Sequence, residues 1–217
     1  MITRAYIADT GALRNEETFN RLITYVSTER RTKIDRCAKR KDKILSLAAG
    51  LLLETALSDA GVADRTIIVG DNGKPYLASG EIFFNLSHSG DRVMCAVSDR
   101  EVGCDVQQTG EINLKIADRF FSPDEKMFLD SITDENEKID VFFRLWTLKE
   151  SYIKMLGTGL KMPLKSFSVS FFDDVPVFAE KKNKYRFKEY STSDNYKYAV
   201  CTESSSIADK VTVVEIG

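Results

Sequence analysis

The apolar periodicity runs through one order of elements twice: strand, helices, strands, and then strand, helices, strands again. No Pro/Gly/Ser-rich linker or low-complexity stretch separates the two passes. In the first pass, residues 2–8 read as a strand and residues 15–25 and 41–60 as helices. The second helix carries Leu45, Ala48, Leu52 and Leu53 at core spacing and stops at Gly61. Residues 66–69 form a short β-branched strand, and Asp71-Asn72-Gly73-Lys74-Pro75 reads as a turn. Residues 82–87 and 92–98 make a hairpin about Ser89-Gly90-Asp91. The second pass opens with a strand at 101–107. Helical segments follow at 113–121, 123–132 and 138–156, the last ended by Gly157-Thr158-Gly159. Strands are predicted at 166–172, 175–179, 185–190, 197–202 and 211–216. The expected class is therefore α+β, with two similar α/β subdomains, residues 1–100 and 101–217, packed tightly enough that their seam is the natural ligand site. At 217 residues, such a chain buries a real core without disulfides or structural metal.

Composition removes several classes. Thirty-one basic and 33 acidic residues leave a net charge of −2, which argues against a bulk basic nucleic-acid binder. The one histidine, His88, excludes HExxH metalloproteases and poly-His zinc sites. Cys37, Cys95, Cys104 and Cys201 form no CxxC pair, which suits a reducing, cytoplasmic setting. The longest uncharged apolar run, residues 44–53, is too short to cross a bilayer. Charge is nevertheless uneven. Residues 28–43 hold eight basic side chains against three acidic ones, and residues 118–140 the reverse. The first segment is either a solvated helix face or an anion site. It contains no aromatic residue, so it lacks the stacking partners of a single-strand binder.

Three stretches place polar groups where a core would be apolar. Ser87 and His88 are adjacent on a strand and point to opposite faces, so they are not a nucleophile and its base. Asp105 and Gln107 lie two apart and share a face, a start for a hard cation. On the long helix, Leu145, Leu148, Tyr152 and Leu156 form a core stripe, and Trp146, Glu150 and Lys154 fall four apart beside it. Glu150 and Lys154 are then either an ordinary ion pair or a carboxylate and an amine facing a cleft.

Taken in order, Ser87-His88-Ser89, then Gly103-Cys104-Asp105-Val106-Gln107, then Trp146 to Lys154 (WTLKESYIK) resemble the signature of the Sfp-type 4′-phosphopantetheinyl transferases. Gly73-Lys74-Pro75 precedes them as in many members. The similarity spans about residues 27–202. It implies two α/β halves related by pseudo-twofold symmetry. It also implies Mg²⁺-dependent transfer of the phosphopantetheine arm of coenzyme A to a serine of an apo acyl or peptidyl carrier protein, with adenosine 3′,5′-bisphosphate released. A monomer suffices, with no nucleic-acid or membrane partner. By the resemblance, Asp105, Gln107 and Glu150 correspond to the metal positions, Lys154 to the lysine at the pyrophosphate, and His88 with Ser87 to the contacts to coenzyme A phosphate. Lys74 corresponds to the lysine near the nucleotide, and Arg31, Lys39 and Arg40 are candidates for the 3′-phosphate. Glu150, directly or through a metal-bound water, is the expected base, with Lys154 and His88 as the other catalytic groups. Two departures stand out. Gln107 replaces the usual Glu, bringing an amide without charge, and Leu45 stands where an Arg is often found. A catalytically silent coenzyme A-binding module of the same fold is the alternative.

Overall fold

The computed structural model describes residues 2–178 and 184–217, with Leu160 described by its backbone alone. Strand β1 (Arg4–Asp9) opens the chain. Helices α1 (Glu16–Leu22), α2 (Thr28–Asp35) and α3 (Arg40–Asp59) follow, the first two started by Asn15 and Ser27, whose side chains accept from Thr18 N and Arg30 N. A small hairpin of β2 (Ile67–Val69) and β3 (Pro75–Leu77) leads to β4 (Phe83–Ser89) and β5 (Arg92–Ser98). The second half begins with β6 (Val102–Gln108), then α4 (Ala117–Phe120), α5 (Pro123–Ser131) and α6 (Glu135–Leu156). Strands β7 (Val169–Phe172), β8 (Val175–Phe178), β9 (Arg186–Tyr190), β10 (Tyr196–Thr202) and β11 (Thr212–Val213) complete it. The end of the strand expected at 175–179 lies outside the described residues.

Each half sets a sheet against one long helix. The first sheet runs β11-β1-β5-β4 and the second β6-β10-β9. Strand alternation divides their faces. Tyr6, Ala8, Val93, Cys95 and Val97 face α3, while Ala5, Ile7, Met94 and Ala96 face the other half. In the second sheet Ala199 and Cys201 pack under α6, and Val102, Cys104, Val106, Tyr198 and Val200 meet the first sheet. The order is helix, sheet, sheet, helix: two similar α/β subdomains sharing a core between their sheets. Leu47, Leu52, Leu53 and Leu57 on α3 are almost fully buried, each stabilising the fold by about 1.5–3 kcal/mol.

Several elements differ from the sequence expectation. Helix α6 starts at Glu135, ahead of residue 138, because Asp134 caps it through Glu137 N. Pro75 begins β3 instead of closing a turn, a position that needs no donor N–H. The strand expected at 211–216 is two residues long and pairs in parallel with β1, so the chain re-enters the first sheet at its end.

Helix α6 is anchored from below. Lys149, 0% exposed, donates to both carboxylate oxygens of Glu125 at 2.6 Å and to Phe167 O at 2.7 Å. Glu125 also accepts from Ser122 N and closes the capping box of α5. A buried pair with this many further hydrogen bonds offsets its own desolvation.

Candidate active site at the seam of the two halves

Strand β6 has a free edge toward β4, and side chains complete it. Asn85 Oδ1 accepts from Cys104 N at 3.0 Å, Ser87 Oγ from Val106 N at 3.3 Å, and Ser89 Oγ from Gln108 N at 3.1 Å. Residues 85, 87 and 89 share a face by the strand period of two, and so do the three amides they satisfy. The serines flanking His88 are therefore part of the weld between the halves.

On the other side of β6, α6 comes into backbone contact. A Cβ on Gly103 would lie 2.1 Å from Ser151 O and 2.3 Å from Met155 N, so only glycine allows the approach. That approach brings Lys154 onto Asp105: Nζ lies 2.5 Å from Oδ1 and 2.8 Å from Ser87 Oγ. Ser87 donates to the same Oδ1 at 2.8 Å, and the Gln107 amide N–H donates to Oδ2 at 2.8 Å. Asp105 is 1% exposed and Ser87 5%. Burial is the largest influence and would lower the Lys154 ammonium, but the Asp105 charge and hydrogen bond, with Glu150 and Cys104, together hold it above its usual value. Lys154 is thus a fixed cation.

Glu150 stands one turn before Lys154 on α6, and the two do not form an ion pair with each other. Its half-buried carboxylate accepts no hydrogen bond among the described residues. Burial raises its pKa, the Asp105 charge raises it further, and Lys154 opposes them. Asp105 is satisfied by Lys154, Ser87 and Gln107, whereas the neighbouring Glu150 carboxylate has no donor among the described residues. Such a pair of carboxylates fits a hard divalent cation, whose other positions go to water and phosphate oxygens. Among the described residues no group of three or more His, Cys, Asp or Glu side chains converges on a point. Asp105 and Glu150, with the neutral Gln107 beside them, are the side chains here that could hold such a cation.

His88 is exposed, on the face of β4 opposite Ser87, as the strand period requires. Loss of hydration lowers its pKa first. Lys154 and Lys33 lower it further, while Asp42 and Asp105 oppose them. The structure thus brings Lys33, at the end of α2, within electrostatic reach of His88. Arg31, Lys39 and Arg40, the expected phosphate contacts, are not among those charges. Arg31 Nε donates to Val26 O at 3.1 Å, Lys39 stands exposed ahead of α3, and the Arg40 guanidinium lies 3.9 Å over the Phe19 ring. Lys33 was hidden in the sequence because the basic segment holds eight candidates and only the packing of α2 on α3 decides which of them comes near His88.

Two other expected contacts have their polar groups already engaged within the protein. Ser87 does not offer a free hydroxyl to coenzyme A: its oxygen already serves Asp105, Lys154 and Val106 N. The Lys74 ammonium is bound to Glu101 Oε2, Met155 O and Val102 O. Nearby, Thr10, Arg14, Lys41, Ile44, Leu45, Gly90 and Asp91 line a cavity of about 360 Å³ at the hairpin turn after His88.

Comparison with known proteins shows the family. Residues 101–201 match the model of the 4′-phosphopantetheinyl transferase superfamily, and residues 14–100 match that of the 4′-phosphopantetheinyl transferase N-terminal region. A 4′-phosphopantetheinyl transferase of Bacillus subtilis is 35% identical over 199 residues, 88% of each chain. The 4′-phosphopantetheinyl transferase Sfp of Bacillus subtilis strain 168 is 34% identical, covering 92% of each. The transferase gsp of Aneurinibacillus migulanus is 35% identical over 88% of this chain and 82% of its own. This chain belongs to the 4′-phosphopantetheinyl transferase superfamily.

Proposed function

We propose that the protein is an Sfp-type transferase that moves the 4′-phosphopantetheine arm of coenzyme A to a serine hydroxyl of an apo acyl or peptidyl carrier protein. The observation that carries this reading is Glu150, a half-buried carboxylate without a hydrogen-bond donor beside the Asp105–Lys154 pair. Burial and the Asp105 charge raise its pKa, which suits a group that must take a proton. The carrier serine gives its proton to Glu150 as its oxygen attacks the phosphorus nearest the pantetheine. The bond from that phosphorus to the bridging pyrophosphate oxygen breaks, and adenosine 3′,5′-bisphosphate leaves with the bond's electrons. Lys154 stays protonated and neutralises charge on the pyrophosphate, and His88 with Lys33 supports the ligand's phosphates. Asp105 and Glu150, with Gln107 beside them, would hold Mg²⁺, which when bound supplies further neutralisation of the pyrophosphate.

We place the protein in the cytoplasm as a monomer. The four cysteines form no disulfide, and three of them are buried. No described helix is long and apolar enough to cross a membrane. The two halves already form the seam within one chain.

Mass spectrometry of apo carrier proteins incubated with coenzyme A, Mg²⁺ and the protein tests the reading. The expected result is a phosphopantetheine mass gain on at least one carrier class, accompanied by adenosine bisphosphate. Coenzyme A binding without mass gain on acyl or peptidyl carriers would favour the silent module, the reading that the uncharged Gln107 supports.

A further inference from the structure

We propose that Lys74 is a positioning residue whose ammonium sets the contact between β6 and α6. The proposal rests on the transferase reading above. Lys74 sits in the turn between β2 and β3 and is 8% exposed. Its ammonium lies 2.6 Å from Glu101 Oε2, 2.7 Å from Met155 O and 3.3 Å from Val102 O. An ammonium has three N–H donors, and these acceptors engage all of them, leaving none for a phosphate.

The identity of the acceptors gives the role. Met155 O belongs to the last turn of α6, where carbonyls lack helical partners and a cation is favoured. Met155 directly follows Lys154. Val102 O lies on β6, one residue before the Gly103 contact and three before Asp105. Glu101 supplies the opposing charge. The lysine stem is also the seat of the helix end, since a Cβ on Gly157 would lie 3.2 Å from Lys74 Cδ. One side chain from the first half thus holds strand and helix together at the point that brings Lys154 to Asp105 and presents Glu150.

Lys74→Met keeps the stem and removes the donors. If the lysine positions the site, kcat falls by about 10–100-fold while KM for coenzyme A stays within about twofold. Glu101→Gln, which weakens the same clamp from the partner side, shows a smaller fall in kcat with the same unchanged KM. A nucleotide contact predicts the reverse for Lys74→Met, a rise in KM of about tenfold or more with kcat preserved, and that result overturns the proposal. Unchanged kcat and KM also overturn it. Hydrogen exchange gives a readout independent of turnover. Amides at 151–156 should exchange at least about tenfold faster in Lys74→Met while those at 142–148 keep their rate. If wild-type protein transfers nothing, the functional reading fails and exchange alone decides. Equal exchange in both segments of the wild type and the variant refutes the clamp.

Discussion

Glu150 owes its chemistry to what surrounds it. Its carboxylate shares the seam with Asp105 and has no donor of its own, so charge there is held at a cost to the fold. Because its pKa is raised on folding, stability is fullest below the unfolded carboxylate range and declines as pH rises through the folded value. Glu150→Gln should therefore raise Tm at neutral pH while cutting turnover by at least about 100-fold, and the Tm gain should vanish in acid. A variant that keeps near-normal turnover would remove Glu150 from the proton transfer. Added Mg²⁺ should raise Tm in wild type and much less in the variant. His88 titrates in the opposite sense. Its pKa is lowered in the free protein, so it is largely neutral at pH 7, and a bound phosphate must recruit its proton. Coenzyme A affinity should strengthen as pH falls from about 8 to 6, and His88→Ala should flatten that dependence. A slope unchanged in the variant would assign it to another group. At this scale the strand period made the sequence readable: it separated Ser87 from His88 and paired Asp105 with Gln107. It gave no account of Lys74, whose ammonium reaches acceptors on elements far away in the chain, or of Lys33, whose charge falls near His88.

At the level of elements, the contact of β6 with α6 is the joint on which the site depends. Gly103 is there because helix backbone occupies the space a side chain would need. Gly103→Ala must push α6 outward, since the three nearest atoms it meets, in Ser151, Lys154 and Met155, are all backbone and none yields as a flexible tip does. Such overpacking costs about 1–3 kcal/mol and also separates Lys154 from Asp105. Urea unfolding should show the lost stability, and kcat should fall far more than the remaining folded fraction explains. Retention of both would show that the helix shifts without consequence. The long helices were plain in the sequence from their core stripes, Leu145, Leu148 and Tyr152 among them. The short pieces were not. Strand β3 was masked by the turn signals of Asp71 to Pro75, and α2 by a charged composition with little apolar periodicity. Both owe their conformation to neighbours more than to local pattern.

Across the whole molecule, the two halves share one of the three core clusters, in which Ala5, Ile7, Met94 and Ala96 interlock with Val102, Cys104, Val106 and Tyr198. The Asn85, Ser87 and Ser89 bonds add a polar row along the same boundary. Neither half keeps its inner face covered alone, so equilibrium unfolding should be a single transition, with far-UV and near-UV signals coincident. Two separated transitions would mean that the halves are independent domains. The doubled element order announced this architecture, but periodicity carries no information about which sheet a distant strand joins. Strand β11 shows the gap: its partner β1 lies some 200 residues upstream, with Tyr6 opposite Thr212 and Ile7 opposite Val213. At about 5–20 residues per second, a ribosome makes β11 roughly 10–40 s after β1. For that interval the nascent first sheet has an unzipped margin, with backbone groups open to any other extended chain. Crowded translation, more than the finished protein, is where this fold is most exposed to mispairing.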